Sequence, residues 1–325
     1  MKHCFCIMKG EFIMKRKTVA LLTAALAVLG SSCLVSAADI TLPEGTEERN
    51  ALNLYVDGVD VSDGKTAYAD IIDTFGEVEL DGVQYYAVTL TDLCAYDLSE
   101  VQGAFLETTD GFVRYISAVD ELYLAAFQAE EGGDYAAVEL EGAYTYGSIT
   151  AGGSMISGIT NVFMVTEAAD FEVAVQVNGE EIGKLIMADF MKKTPVGEEK
   201  VTTGMFDGSF KYNMGDSTYE GRFLGIDYAT MLAKLEGLGM KVEGEIKEVE
   251  YYGTPGMGAE GKNTEYALYP DEENYFGNVQ FFCMYDGMVR NAEVKDVPVG
   301  LAAFVNGAGS KWLTYNMTAI NFITE

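Results

Sequence analysis

Two stretches of the chain decide the fold. Residues 153–167 read GSMISGITNVFMVTE, and residues 309–325 read GSKWLTYNMTAINFITE. With an offset of 158 positions, apolar residues fall on apolar residues: Ile159 on Met317, Val162 on Ile320 and Val165 on Ile323. Because self-similarity within one chain is typical of duplicated architectures, we predict two copies of one structural plan.

The similarity extends outward to the beginning of each copy. Residues 52–58 read LNLYVDG and residues 171–179 read FEVAVQVNG, so each is an alternating strand that ends in an Asp-Gly or Asn-Gly turn. A short helix, extended residues that run into an amphipathic helix, and a strand before a Gly turn follow in both copies. These segments are 67–72, 88–93 and 101–108 with the turn 109–111, and then 186–191, 225–232 and 246–252 with the turn 254–256.

The second copy is the longer of the two. The offset grows from 121 at the first strand to 158 at the last, so the second copy carries 37 more residues, many of them in 196–219 and 257–278. Because loops commonly carry function, we expect any ligand site to lie in the second copy.

The composition favours a folded, β-rich protein. The 325 residues include 20 Tyr, 17 Phe, 36 Gly and only 5 Pro, and 49% are hydrophobic. This composition excludes a long disordered or collagen-like chain, since it supplies enough apolar surface for a core.

The N-terminus has the pattern of a secretory signal peptide. Basic residues at 14–17 precede a short apolar run at 19–29, and Val35-Ser36-Ala37 supplies the small residues of a cleavage site. We therefore predict a signal peptide at 1–37, a first module at 38–168 and a second module at 169–325 with longer loops. Met14 is an alternative start. The apolar run is too short to remain as a membrane span, so we expect a secreted or cell-surface protein without a transmembrane helix.

Cys33 allows a competing interpretation, lipid attachment at the cysteine that ends a lipoprotein signal. Gly30 stands three residues before it, where such a signal has a large aliphatic residue. Ordinary cleavage after Ala37 is therefore favoured over lipoprotein anchoring at Cys33.

The charge of the exported chain restricts its partners. Removal of residues 1–37 leaves 16 basic and 50 acidic side chains, a formal charge of −34. Such a chain repels phosphate backbones and anionic bilayers, so nucleic-acid binding is excluded. The acidity serves solubility first, with binding of a cation or a basic partner as the alternative.

Cleavage also removes His3, the only histidine, and leaves Cys94 and Cys283 as the only cysteines. The mature chain thus lacks the imidazole of a Ser-His-Asp or Cys-His pair and cannot build a Cys-His zinc site or a four-Cys cluster. The two cysteines are consistent with one disulfide or with two buried thiols. We favour the thiols, because Cys94 sits in a helix-like run and Cys283 in a strand-like run.

Several short segments carry a resemblance to a known family. They are Ala188-Asp189-Phe190 in the first short helix of copy two, YEGRFLGI at 219–226 before Met231-Leu232, TDGF at 109–112, Tyr115-Ile116-Ser117, LYLAA at 122–126, and Lys311-Trp312-Leu313 before Ile320. These segments resemble the sulfite-oxidase-like (oxidoreductase molybdopterin-binding) domain family, in two tandem, degenerate copies. The resemblance implies an α+β fold, with mixed and largely antiparallel sheets and a few short helices.

The chain departs from that family at the cofactor site. Members that bind molybdopterin hold the metal through a Cys soon after the first short helix, but residues 200–206 read KVTTGMF and residues 77–82 read EVELDG. Cys94 lies too late to replace that Cys simply. The Arg and His groups that would hold the pterin phosphate are also missing, since the mature chain has no His and only four Arg: Arg49, Arg114, Arg222 and Arg290. We therefore predict no catalytic residue and no metal ligand, and leave cofactor-binding residues unassigned.

Two local motifs have simpler structural interpretations. GMGAEGKN at 256–263 matches a dinucleotide fingerprint by letter and misses a P-loop at Asn263, but 264–269 alternates like a strand and Pro270 follows, so a hairpin loop is favoured. Asp57, Asp60 and Asp63 before Gly64 lack EF-hand spacing, so turns are favoured over calcium there and at 271–274.

Carboxylate pairs and aromatic residues give no specific signal. Paired carboxylates suit glycoside hydrolysis, but with so many acids a close pair is expected by abundance alone. We expect Trp312 to be a core residue, and Tyr85, Tyr86, Tyr251 and Tyr252 to pack across strands.

The sequence thus predicts a secreted or cell-envelope protein of two cofactor-less modules that acts as a binding or structural element on an unidentified ligand or envelope component. One alternative is an active molybdopterin-dependent oxidoreductase with an unusual ligand set. A second is a calcium-binding surface protein or carboxylate-based hydrolase.

Overall fold

A computed structural model describes residues 48–94, 96–131, 134–166, 170–211, 218–255, 261–263, 279–285, 300–305 and 313–325. The predicted signal peptide, Cys33, Trp312, Arg290 and the segments 256–260 and 264–278 lie outside the described residues. We call residues 48–166 the first half and residues 170–325 the second half.

The first half has many short strands and two one-turn α-helices. Its elements are β1 Asn53–Val56, β2 Val59–Asp60, α1 Tyr68–Ile71, β3 Gly76–Leu80, β4 Val83–Thr89, α2 Leu90–Leu93, β5 Gly103–Thr108, β6 Val113–Ile116, β7 Tyr123–Ala129, β8 Tyr135–Ala137, β9 Glu139–Leu140, β10 Ala143–Tyr144, β11 Tyr146–Ile149 and β12 Ile156–Val165. Short 3-10 turns lie at Ile72–Thr74, Leu98–Glu100 and Val119–Glu121.

The second half has longer strands and one longer helix. Its elements are β13 Glu172–Val177, β14 Glu180–Ile186, α3 Met187–Met191, β15 Thr194–Val196, β16 Glu199–Val201, β17 Gly204–Lys211, β18 Thr218–Asp227, α4 Tyr228–Gly237, β19 Ile246–Pro255, β20 Gly261–Asn263, β21 Val279–Tyr285, β22 Ala302–Val305 and β23 Leu313–Thr324. The β-rich class with mixed sheets and few short helices agrees with the sequence-based prediction.

Each half is organised around one mixed sheet. The first sheet has the order β2-β1-β12-β11-β7-β4-β3, with β5 on β12 and β6 on β5. The second has the order β14-β13-β23-β22-β21-β18-β17, with β19 on β23 and β20 on β19. In both sheets the first strand of the half runs parallel to its last strand, and the other neighbours along this order are antiparallel.

The strand registers of the two sheets can be compared residue by residue. Leu54 pairs with Val162 in the first sheet, and Val175 pairs with Ile320 in the second. These two pairs are related by the offsets of 121 and 158 read from the sequence. Register irregularities also recur, between Tyr86 and Ala87 in β4 and between Leu224 and Gly225 in β18.

The predicted turns after the first strand of each half are observed. Asp57 and Gly58 have φ of 46° and 76°, and Asn178 and Gly179 have φ of 51° and 82°. Both residues of a two-residue hairpin turn of this type need positive φ, which Asn, Asp and Gly tolerate best. Sequence alone therefore locates these turns.

The helices that follow β4 and β18, α2 and α4, each begin at a side-chain cap. Thr89 accepts a hydrogen bond from the backbone N–H of Asp92 at 3.1 Å, and Asp227 accepts one from the N–H of Thr230 at 2.7 Å. A capping oxygen satisfies an amide that the first turn leaves without a partner. The helix of the first half ends after one turn, whereas that of the second half, α4, continues to Gly237.

The halves share a continuous apolar core. One core cluster lies within the first half, and another joins side chains of both halves, including Phe105 and Val113 from the first and Phe190 and Met231 from the second. At the junction, Phe112 forms a β-bridge with Gly204. The amine of Lys193 also lies 4.0 Å from the centre of the Phe112 ring. Burial of apolar surface is the main force that holds such layers together.

Candidate functional site

The two thiols occupy apolar positions in different elements. Cys94 caps the C-terminal end of α2 and Cys283 lies in β21; both are buried and free. Burial raises the pKa of Cys94 and raises that of Cys283 to about 12. The thiol of Cys283 lies 3.8 Å from the carbonyl oxygen of Leu224. This arrangement agrees with the prediction of two buried thiols, and it disfavours thiolate chemistry at neutral pH.

The stretches where the resembled family carries its metal-binding Cys are occupied by structural residues. In the second half, Thr203 is fully buried and its hydroxyl donates to the carbonyl oxygen of Phe190. In the first half, Glu77 lies exposed on β3 and its carboxylate accepts a hydrogen bond from the hydroxyl of Tyr135 at 3.1 Å. Neither stretch supplies the cysteine thiolate with which that family holds its metal, so these residues do not fit the cofactor.

The three described arginines have separate partners. Arg114 donates to the carbonyl oxygen of Ser154 at 3.1 Å, Arg222 donates to the carboxylate of Glu107, and Arg49 lies among aromatic rings of the first half. An anion site for a pterin phosphate needs cations that converge on one point. The acceptors of these three side chains lie on different residues, and Arg290 lies outside the described part of the chain.

A polar network crosses the junction of the halves. Arg222 of β18 donates to one carboxylate oxygen of Glu107 in β5, and the amide of Asn161 donates to the other at 2.7 Å. Asn53 in turn donates to Asn161 at 2.9 Å. The Glu107 side chain is only 5% exposed and that of Arg222 is 43% exposed. A buried carboxylate without partners would be costly, and these hydrogen bonds supply partners for Glu107. They also link β5 of the first half to β18 of the second.

Sequence reasoning did not identify Glu107. Its strand, GAFLET, is buried along its whole length, so an acid near the end of an apolar run was the available signal. Lys234 was also missed. It is fully buried on α4, and its amine donates to the carbonyl oxygens of Lys192 at 2.5 Å and Asp189 at 3.3 Å.

Lys234 closes the C-terminal end of α3. Helix C-termini leave carbonyl oxygens without partners, and a lysine amine satisfies several at once. Burial lowers the pKa of Lys234 to about 8, against the smaller opposing effect of Asp189. The arrangement is structural, but it places a titratable group in the core of the second half.

Two clefts in the first half are lined by described residues. The larger, of about 740 Å³, lies between the end of β7 and β8 and has Glu130, Glu131 and Glu139 in its lining. The smaller, of about 480 Å³, is lined by Asp97 and Asp120 with hydroxyl side chains, Thr91, Ser99 and Ser117. Their acids favour cationic or uncharged ligands over anions. The expectation of a ligand site in the longer loops of the second half stays a prediction, because most of those loops lie outside the described residues.

The weaker sequence motifs have local structural roles. Asp60 accepts a hydrogen bond from the N–H of Ser62 at 2.8 Å, and Asp63 and Gly64 adopt positive φ in a turn. Within the described residues, no three His, Cys, Asp or Glu side chains come together as a metal site requires. Residues 261–263 form β20, antiparallel to β19, in agreement with the hairpin prediction for their backbone.

Of the four tyrosines expected to pack across strands, Tyr86 makes that contact. The ring of Tyr86 lies 6.1 Å from that of Phe127 on the neighbouring strand, and Tyr251 lies 6.0 Å from Phe281 in the shared core. Tyr252 donates to the carboxylate of Glu250 at 2.9 Å. These contacts are of the packing and hydrogen-bonding kind that strand tyrosines commonly make.

Comparison with known proteins found no matching family model, no matching curated protein and no matching solved structure. Among the helices in the described residues, none has the length and apolar character needed to span a membrane.

Proposed function

We propose that this chain is exported and acts at the cell surface or outside the cell as a binding or structural element, built of two sulfite-oxidase-like modules at 38–168 and 169–325 that no longer hold molybdopterin. The partner is an unidentified ligand or an envelope component, and nucleic acid is not a partner. No catalytic role is assigned to any side chain.

The shared topology of the halves supports the two-module part of the proposal. Strand order, the parallel pairing of first and last strands, the irregularity before Ala87 and Gly225, and the helix caps at Thr89 and Asp227 all recur. Independent packing solutions rarely repeat at this level of detail, so duplication of an ancestral module is the simplest origin.

The chemistry of the two thiols supports the part of the proposal that the modules hold no molybdopterin. Both sulfurs are buried in apolar surroundings and their pKa values are raised, so neither is a ready thiolate. The stretches that follow the first short helices offer Thr203 and Glu77 in its place. A soft metal centre therefore lacks its protein donor at both equivalent places.

The decisive experiment is metal and pterin analysis of the protein purified from its own host. We expect less than about one molybdenum per ten chains and no pterin fluorescence after denaturation. Stoichiometric molybdenum with pterin fluorescence would instead establish the oxidoreductase with an unusual ligand set. A rise in Tm with millimolar calcium that magnesium does not reproduce would favour the calcium-binding surface protein.

The ligand class is tested on the same material. Because acids line both described clefts, immobilised protein should retain cationic or neutral envelope polymers and not retain polyanions. Retention of polyanions at physiological salt would contradict the proposed binding role while leaving the cofactor result intact.

A further inference from the structure

Arg49 lies at the start of the described chain, and its guanidinium is held inside the first half. Its central carbon lies 4.7 Å from the ring centre of Phe127, 5.2 Å from that of Tyr68 and 5.6 Å from that of Tyr146. A cation this close to an aromatic face is attracted by the negative potential of the ring. We call Tyr68, Phe127 and Tyr146 the aromatic cage.

Backbone acceptors complete this environment. One terminal nitrogen of Arg49 donates to the carbonyl oxygen of Thr145, and the other donates to that of Ala126 at 2.9 Å. Two acceptors at the fork of a planar cation give a directional fit that an ammonium group cannot reproduce. The cage therefore selects for the shape of a guanidinium as well as for its charge.

The described contacts of Arg49 include no carboxylate. Burial lowers the pKa of Arg49, and weaker interactions with Tyr146, Tyr68 and Tyr144 raise it in part. In a chain with so many acids, an arginine would find an acid easily at the surface. Its place among rings and carbonyl oxygens instead resembles a receptor for a cationic side chain.

A second observation concerns the polar atoms inside the cage. Tyr146 is fully buried, and its hydroxyl has no hydrogen-bond partner in the described structure; the Nε of Arg49 is likewise buried without one. Buried polar groups are usually paired. The Tyr146 hydroxyl and the Arg49 Nε can therefore each form a hydrogen bond that the packing of this half does not supply.

The second half shows that the fold does not need the cage. Strand pairing places Met284 where Phe127 stands, since Tyr86 pairs with Phe127 and Leu224 pairs with Met284 across equivalent irregularities. Leu301 replaces Tyr146 before β22, and Met187 replaces Tyr68 at the start of the short helix. All three replacements are buried apolar residues.

We propose that the first half contains a guanidinium-binding site, formed by the aromatic cage and the carbonyl oxygens of Ala126 and Thr145, and that Arg49 is its resident occupant. Arg49 fastens its own segment of the chain onto the sheet of the first half. The site takes an alkylguanidinium, such as an arginine side chain, when Arg49 is removed. This inference does not depend on the proposed function.

The test is chemical rescue of Arg49→Ala. We expect the variant to have a lower Tm, and ethylguanidinium at low millimolar concentration to raise that Tm by about 2–4 °C in a saturable manner. The wild-type protein should show no saturable rise, because its own side chain fills the site. Ethylammonium, with the same charge but no fork, should bind Arg49→Ala at least about five-fold more weakly.

The matched control is Arg114→Ala, which removes a partly exposed arginine that also donates to a backbone carbonyl. Ethylguanidinium should not change its Tm. If Arg49→Ala does not fold on its own, refolding yield with and without ethylguanidinium supplies the same comparison. Absence of rescue in both formats, or equal rescue of Arg114→Ala, would overturn the proposal.

Discussion

The two halves place positive charge in their interiors by different means. The first half surrounds Arg49 with three aromatic rings, whereas the second half has Met187, Met284 and Leu301 at the equivalent places and buries Lys234 on α4 instead. Lys234 has no counterpart in α2, because that helix ends at Leu93 after one turn. A common strand framework thus fixes the backbone and leaves the chemistry of each interior free to diverge.

The largest expected effect concerns the register irregularity that β4 and β18 share. Ala87 follows it in the first half and Gly225 in the second, three residues before the helix in both cases. A Cβ on Gly225 would lie 1.8 Å from the carbonyl oxygen of Phe281, and backbone cannot move aside cheaply.

We therefore expect Gly225→Ala to lower the free energy of unfolding by about 3 kcal/mol or more, measured by urea denaturation. The matched change Ala87→Gly should cost only about 1 kcal/mol, through chain entropy and a lost methyl group. Equal losses for the two variants would contradict the close approach of the Phe281 carbonyl oxygen as the reason for glycine at position 225.

The next prediction concerns the Arg222–Glu107 ion pair at the junction of the halves. Arg222→Ala removes the cation beside the buried carboxylate of Glu107 and leaves it the hydrogen bond from the Asn161 amide. Because the guanidinium is itself partly exposed, we expect a loss of about 2 kcal/mol in the free energy of unfolding.

The junction prediction has an internal control. Arg222→Ala with Glu107→Gln should recover part of the loss, since a neutral amide is cheaper to bury than a carboxylate. Arg114→Ala should change stability by less than about 0.5 kcal/mol. A double variant no more stable than Arg222→Ala would contradict the role given to Glu107.

The third prediction uses pH to sharpen the contrast between buried cations. The pKa of Lys234 is about 8 in the folded protein and 10.5 as its ordinary value, so between these pH values the unfolded chain binds the additional proton. Stability from this group therefore rises with pH across that window, by at most about 1.4 kcal/mol per pH unit.

Two buried tyrosines, Tyr146 and Tyr228, make stability fall as the pH rises above about 10. Burial raises the pKa of Tyr146 and Tyr228, so their contribution is complete below pH 10 and is lost above it. Urea denaturation at pH 7.5, 8.5 and 9.5 should show the difference in stability between wild type and Lys234→Met growing with pH. A difference that stays constant would mean that Lys234 is not titrating in this range.

Much of the framework, and little of the interior chemistry, follows from the sequence. Alternating strands and the Asp57-Gly58 and Asn178-Gly179 turns are local signals, because strand period and positive φ depend on neighbouring residues. The Glu107–Arg222 pair joins residues 115 positions apart, and the Arg49 cage collects rings from three separate elements. Sequence supplies no distance for such sets, so only the three-dimensional arrangement reveals them.

The smallest effect tests the equivalence of the halves at their first turns. Asp57 accepts hydrogen bonds from the N–H of Thr166 at 3.1 Å and from its hydroxyl at 2.5 Å; Asn178 accepts one from the N–H of Thr324 at 2.9 Å and donates to its hydroxyl at 3.2 Å. An amide can replace the carboxylate if the threonine hydroxyl rotates from donor to acceptor, and Asn tolerates the positive φ of this turn.

We therefore expect Asp57→Asn, which gives the first turn the residue of the second, to change the free energy of unfolding by less than about 0.5 kcal/mol. Asp57→Ala should lose about 1–2 kcal/mol, because the N–H of Thr166 then lacks its acceptor and Ala is strained at this φ. Urea denaturation of both variants in parallel decides the matter: an Asp57→Asn loss as large as that of Asp57→Ala would mean that the charge of Asp57 is essential, and that the two turns share a backbone shape without sharing an interaction.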